Sequence, residues 1–140
     1  MRNLKIIYKS ILVIIWLLII YFFSNQSGNT STELTNGILE KVLWFINNDL
    51  TFIIIRKFAH FTEYLILGLL IYNLLKEFSL SKIILISFLL CILFASLDEI
   101  HQLFISERTG KLLDVLIDTL GSICCILIIN KFSVKSLSKR

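Results

Sequence analysis

Four long apolar runs, none broken by proline, constrain this 140-residue chain more than any other feature. A helix of about 20 apolar residues matches the hydrocarbon thickness of a bilayer, where every backbone N–H and C=O must find its partner inside the segment. Since no proline occurs anywhere, each run can satisfy that demand as an unbroken helix. Spans are expected at about residues 6–23, 53–75, 83–101 and 113–130. A hydrophobic share of 56% and a mean hydropathy of +0.84 exceed what the surface of a soluble domain tolerates. The expected fold class is therefore an all-α membrane protein with four transmembrane helices forming one membrane domain over residues 1–140.

The segments between the runs carry their own signals. Arg2, Lys5 and Lys9 before Ile11–Phe23 resemble a secretory leader, but the run ends in Tyr21-Phe22-Phe23, where a signal peptidase requires small residues. A retained first helix is expected. Thr30-Ser31-Thr32-Glu33 has capping-box spacing. Leu34, Ile38, Val42, Phe45 and Ile46 then recur at helical intervals opposite Glu40 and Lys41. That pattern predicts one short amphipathic helix, too polar to cross, lying outside the cytoplasm on the membrane surface or over the bundle. Cys91, Cys124 and Cys125 fall inside apolar runs without metal-ligand spacing, and are read as small apolar filler.

A net charge of +4 does not indicate nucleic acid, because the cations flank the apolar runs instead of covering one face of a soluble module. Nine of the fourteen lysines and arginines gather on one side: Arg2, Lys5, Lys9, Lys76, Lys82, Lys131, Lys135, Lys139 and Arg140. By the positive-inside rule that side is cytoplasmic, and both termini lie there. The same threading puts nine of the ten carboxylates outside, with Glu77 alone within. Acidic residues direct topology only weakly, so this asymmetry has another cause.

Three polar clusters supply one. Arg56, His60 and Glu63 lie at i, i+4 and i+7 on the second helix, flanked by Lys57 and Tyr64. Asp98, His101 and Gln102 form a stripe at the end of the third helix beside Glu99, and Asp114, Asp118 and Gly121 form one at the start of the fourth. The topology brings all three to the outer face. Glu63 and Asp118 sit about 8 Å inside their helix ends at 1.5 Å per residue, a depth where a charge facing lipid costs roughly 3 kcal/mol or more. These groups must face each other, cations or water.

Three readings of that constellation stand side by side. A buried ion-pair network could fix helix register and do nothing else. A divalent metal could be held by His60-x-x-Glu63 and Asp98-x-x-His101, with Glu99, Asp114 and Asp118 completing the pocket, although Arg56, Lys57 and Arg108 would repel it unless an anion intervened. Alternatively, Arg56, Lys57 and Arg108 bind a phosphate or carboxylate, with Tyr64 and Gln102 lining the pocket. In that third reading His60, Glu63, Asp98 and His101 do the acid/base work, either imidazole moving the proton while a carboxylate orients it.

The ordered set Arg56-Lys57-x-Ala59-His60-Phe61-x-Glu63-Tyr64-x-x-Leu67-Gly68, Asp98-Glu99-Ile100-His101-Gln102 and Arg108-Thr109-Gly110 with Asp114, Asp118 and Gly121 resembles the VanZ-like family of bacterial membrane proteins. The resemblance implies a multi-pass protein of the bacterial cytoplasmic membrane, of the kind associated with resistance to the glycopeptide teicoplanin. With it, the expectation becomes a hydrolase or transferase acting on an anionic, amphiphilic cell-envelope molecule. The alternative is a non-catalytic binder of a lipid-linked wall precursor or of the antibiotic's lipid tail. Expected partners are membrane lipids and that amphiphile, with no nucleic acid. Oligomeric state is left open, as is the cofactor, for which a divalent metal is one possibility.

Overall fold

The computed structural model describes residues 1–26, 33, 37, 49–78, 80–106, 108 and 110–137. Four helices carry the fold: α1 (Arg2–Ser24), α2 (Asp49–Leu75), α3 (Ile83–Gln102) and α4 (Leu112–Leu137). A single 3-10 turn, Lys76–Phe78, follows α2. Each helix is long and apolar enough to cross a membrane, and no described residue lies in a strand. The amphipathic helix expected between Thr30 and Ile46 lies outside the described residues, except for Glu33 and Gly37.

The side-chain pattern of α3 shows how the sequence sorts its faces. Leu85, Leu89, Leu93 and Leu97 recur every four residues and are each about half exposed, the face that lipid covers. The opposite stripe carries Ser87, Cys91, Ala95, Asp98 and Gln102, all buried. Its small members let neighbouring backbones approach, as membrane helices require when lipid competes equally well for large apolar side chains. The core they enter holds Val13, Ile20, Tyr64, Leu67, Ile71, Tyr72 and Ile126.

Helix α2 touches every other helix, and its seam with α4 is the most extensive in the bundle. The two run parallel, because Lys57 meets Asp114 near their N-termini and Tyr72 meets Asn130 near their other ends, at sequence separations of 57 and 58. A nearly constant offset over that length keeps the polar stripes of both helices at one depth. Two glycines set the spacing. A Cβ on Gly68 would lie 2.9 Å from the Ser122 carbonyl oxygen, and a Cβ on Gly121 would collide with the Phe61 carbonyl oxygen.

Helix α1 runs antiparallel to α2. Near its start, the Lys9 ammonium donates to the Asn73 carbonyl at 3.0 Å and pairs with Glu77, the lone carboxylate of the side the positive-inside rule marks as cytoplasmic. Further along, the Trp16 indole N–H donates to the Glu63 carbonyl at 2.9 Å. Together these contacts put the C-terminal ends of α1 and α3 and the N-terminal ends of α2 and α4 at one end of the bundle.

Candidate functional site

At that end the three sequence clusters meet. His60 from α2, Asp98 from α3 and Asp118 from α4 each offer one ligand atom, and the three atoms lie within 4.8 Å of one another. Nδ1 of His60 approaches Oδ1 of Asp118 at 3.7 Å, beyond hydrogen-bond length. Asp118 is fully buried, and neither of its oxygens has a hydrogen-bond partner; Nδ1 of His60 has none either. Groups this polar are almost always paired when buried, because an orphan forfeits its hydration without replacement.

The surrounding groups are better satisfied. Asp98 accepts from the Gln102 side-chain amide at 3.1 Å, one turn along α3, and the Ser24 hydroxyl of α1 adjoins it. Glu99, which is buried, accepts the Lys111 backbone N–H through one oxygen at 2.7 Å, while its other oxygen has no partner. Tyr64 is buried against this group, with Asp98, Asp118 and Glu63 among its electrostatic neighbours. At the rim, Lys57 and Asp114 pair at 2.6 Å, both partly exposed.

Arg108 comes from the α3–α4 connection, yet it is buried and donates to the Phe23 carbonyl at the end of α1 at 3.2 Å. Its Nε has no partner. Burial and the like charge of Arg56 hold the Arg108 guanidinium below its ordinary range, and the carboxylates of Asp98, Glu63 and Glu99 oppose that shift. The connection reaches inward because Gly110 packs against the Glu99 carbonyl and the Leu103 side chain, where any Cβ would clash. Arg56 lies within electrostatic range of Arg108, Glu99 and His60.

The twelve residues singled out from sequence thus gather at one end, with unequal engagement. His60, Asp98 and Asp118 form the inner cluster, ringed by Glu63, Tyr64, Glu99, Arg56 and Arg108. Lys57 is occupied by Asp114 and Gln102 by Asp98. His101 turns toward α1, its ring 5.0 Å from that of Tyr21, with a buried and unpartnered Nε2. Helix α1 adds two contacts that no sequence cluster marks, the Trp16 indole to the Glu63 carbonyl and the Tyr21 ring beside His101. The fold has a separate crevice of about 570 Å³ at the other end of the bundle, between Ile83, Ile84 and Phe88 of α3 and Ile123, Ile126 and Leu127 of α4. None of the clustered residues lines it.

A helical protein able to cross the membrane four times, with acid, base and imidazole groups buried together at one end of its bundle, is the class that this fold and this site define. A comparison with curated proteins finds no match, and neither does a comparison with solved structures. The family model described as VanZ/LLP1 matches residues 10–133, and the chain belongs to that family.

Proposed function

We propose that this protein is a membrane hydrolase or transferase that works at the outer leaflet of the bacterial cytoplasmic membrane on an anionic, amphiphilic cell-envelope molecule. The link to teicoplanin resistance associated with VanZ-like proteins is part of this reading. One observation carries it: the unpartnered His60 Nδ1 and Asp118 carboxylate are gathered with Asp98 from three helices beside two arginines. A network that served only to fix register would pair those groups, since each orphan lowers stability.

In this reading Arg56 and Arg108 hold the anionic group, and the parallel N-termini of α2 and α4 add their positive dipole ends on the same side. The inner cluster activates a water or hydroxyl against the bound molecule. Glu63 and Tyr64 shape the floor, Asp98 is fixed by Gln102, and His101 stands ready to shuttle a proton toward the α1 side. The amphiphile's chains remain in lipid, so that only its headgroup enters.

The test uses cells expressing wild-type, His60→Ala and Asp98→Asn protein at equal membrane levels, with teicoplanin susceptibility and the lipid-linked precursor pool read by mass spectrometry. Loss of both protection and any precursor conversion in the two variants is expected. Protection that survives both substitutions refutes the catalytic assignment. His101→Gln separates the two classes: an enzyme loses at least tenfold in turnover, whereas a non-catalytic binder keeps its affinity within a few fold.

A further inference from the structure

The geometry points to a divalent-cation site in which His60, Asp98 and Asp118 are the protein ligands, one from each of three helices. The donor set is an imidazole nitrogen and two carboxylate oxygens, suited to Zn²⁺ or Mn²⁺ with coordination positions left for water or substrate. A tetrahedral site with metal–ligand distances near 2.1 Å separates its ligand atoms by about 3.4 Å. The three atoms here lie within 4.8 Å of one another, and the His60–Asp118 pair is at 3.7 Å. Small side-chain rotations close the remainder.

Two further observations are independent of that spacing. Asp118 is fully buried, both its oxygens lack hydrogen-bond partners, and it is aimed at a histidine nitrogen that also lacks one. These are the atoms a cation would satisfy. The donor set agrees in charge: Asp98 and Asp118 are two carboxylates, which balance one dication.

The nearby cations do not forbid the ion. Lys57 is engaged by Asp114 at the rim, and Arg108 lies among the outer carboxylates Glu63 and Glu99 as well as Asp98. Two buried carboxylates around a dication neutralise it locally, so the arginines see a site of no net charge. The sequence had paired ligands along single helices, His60 with Glu63 and Asp98 with His101. The fold instead takes one ligand per helix, so that an ion would also tie α2, α3 and α4 together.

This inference rests on the proposed function for its catalytic meaning, since a bound dication would lower the pKa of a coordinated water and polarise a phosphoryl or carbonyl oxygen. Binding itself is tested without substrate. Full-length protein purified in detergent and stripped with chelator is titrated calorimetrically with Zn²⁺ and, separately, with Mn²⁺, and its thermal midpoint is followed. One ion per chain with a micromolar or tighter Kd and a raised midpoint is expected for at least one of the two metals. Asp118→Asn and His60→Gln should each weaken binding at least tenfold, while Glu77→Gln at the far end of the bundle leaves it unchanged. Asn is isosteric and removes a buried charge, so Asp118→Asn should melt no lower than the stripped wild type, which excludes misfolding as the reason for lost binding. Absence of stoichiometric binding by both ions, or binding retained in Asp118→Asn and His60→Gln, overturns the inference. Loss of cellular protection in His60→Ala without metal binding leaves the enzyme reading standing alone; metal binding without that loss leaves the ion a purely structural clamp.

Discussion

Gly121→Ala is the substitution that most directly tests how the cluster is held together. Gly121 lies one turn beyond Asp118 on α4, and its closest neighbour across the seam is the backbone of Phe61, the residue after His60. A Cβ there would overlap the Phe61 carbonyl oxygen and stand 3.1 Å from its carbon and 3.3 Å from the Leu65 nitrogen. Carbon–oxygen contacts settle near 3.3–3.6 Å, and a backbone carbonyl inside a helix cannot rotate aside, so α2 and α4 must separate by about 1 Å. Overpacking of this kind costs about 1–3 kcal/mol, and contact between two backbones belongs in the upper half of that range. Replacing a helical glycine by alanine returns up to about 1 kcal/mol of propensity. The net expectation is a loss of about 1–2 kcal/mol. It should be measured by SDS-induced unfolding in micelles, followed by circular dichroism. The same displacement widens the gap between His60 and Asp118, so any function of that pair falls with stability. Gly68→Ala presses on Ser122 in the same seam, and the double variant should lose less than the sum of the two, because one separation relieves both clashes. A Gly121→Ala protein as stable as wild type, or more so, would mean that the glycine does not set the spacing, and the reasoning would fail.

Other features give sharper local tests. Tyr72→Phe removes the 2.9 Å bond from the Tyr72 hydroxyl to Asn130 and should cost about 0.6 kcal/mol in the same unfolding assay, with no effect on function at the opposite end. Because the Lys57–Asp114 pair is partly exposed, Lys57→Met should change stability by less than about 1 kcal/mol. Arg108→Gln should cost more, since it abolishes the link to the Phe23 carbonyl and leaves Asp98, Glu63 and Glu99 without their buried counter-charge. A loss of about 2–4 kcal/mol is expected, together with at least a tenfold fall in cellular protection. The proposed outward orientation predicts that a single cysteine at Leu113, in a background with Cys91, Cys124 and Cys125 replaced, reacts with an impermeant maleimide from outside intact cells. One at Ser81 should react only after the membrane is opened.

Much of this architecture is written in the chain because a bilayer leaves few alternatives. Run length and the absence of proline mark four helices but not their ends, since α1 already begins at Arg2 and α4 runs on to Leu137. Period alone puts Asp98 and Gln102 on one stripe, and the structure joins them by a hydrogen bond. What periodicity could not reveal is which atoms meet across helices. Trp16 and Tyr21 sit in the stretch Ile11–Phe23, which is apolar all round, so nothing there marks the face α1 turns toward its neighbours. The His60–Asp118 approach likewise depends on the parallel offset of α2 and α4. The approach of Gly121 to the Phe61 backbone became identifiable only in three dimensions.

The bond from Arg108 to the Phe23 carbonyl joins the first membrane helix to a loop that the ribosome makes more than eighty residues later. While the chain is being inserted, the end of α1 must therefore wait for its Arg108 partner until two further crossings have been threaded. Assembly is then sealed in reverse order of synthesis, and a polypeptide halted before Arg108 would leave its earliest helix unlatched and open to quality-control proteases. The final third of the molecule, by this logic, is what certifies the first.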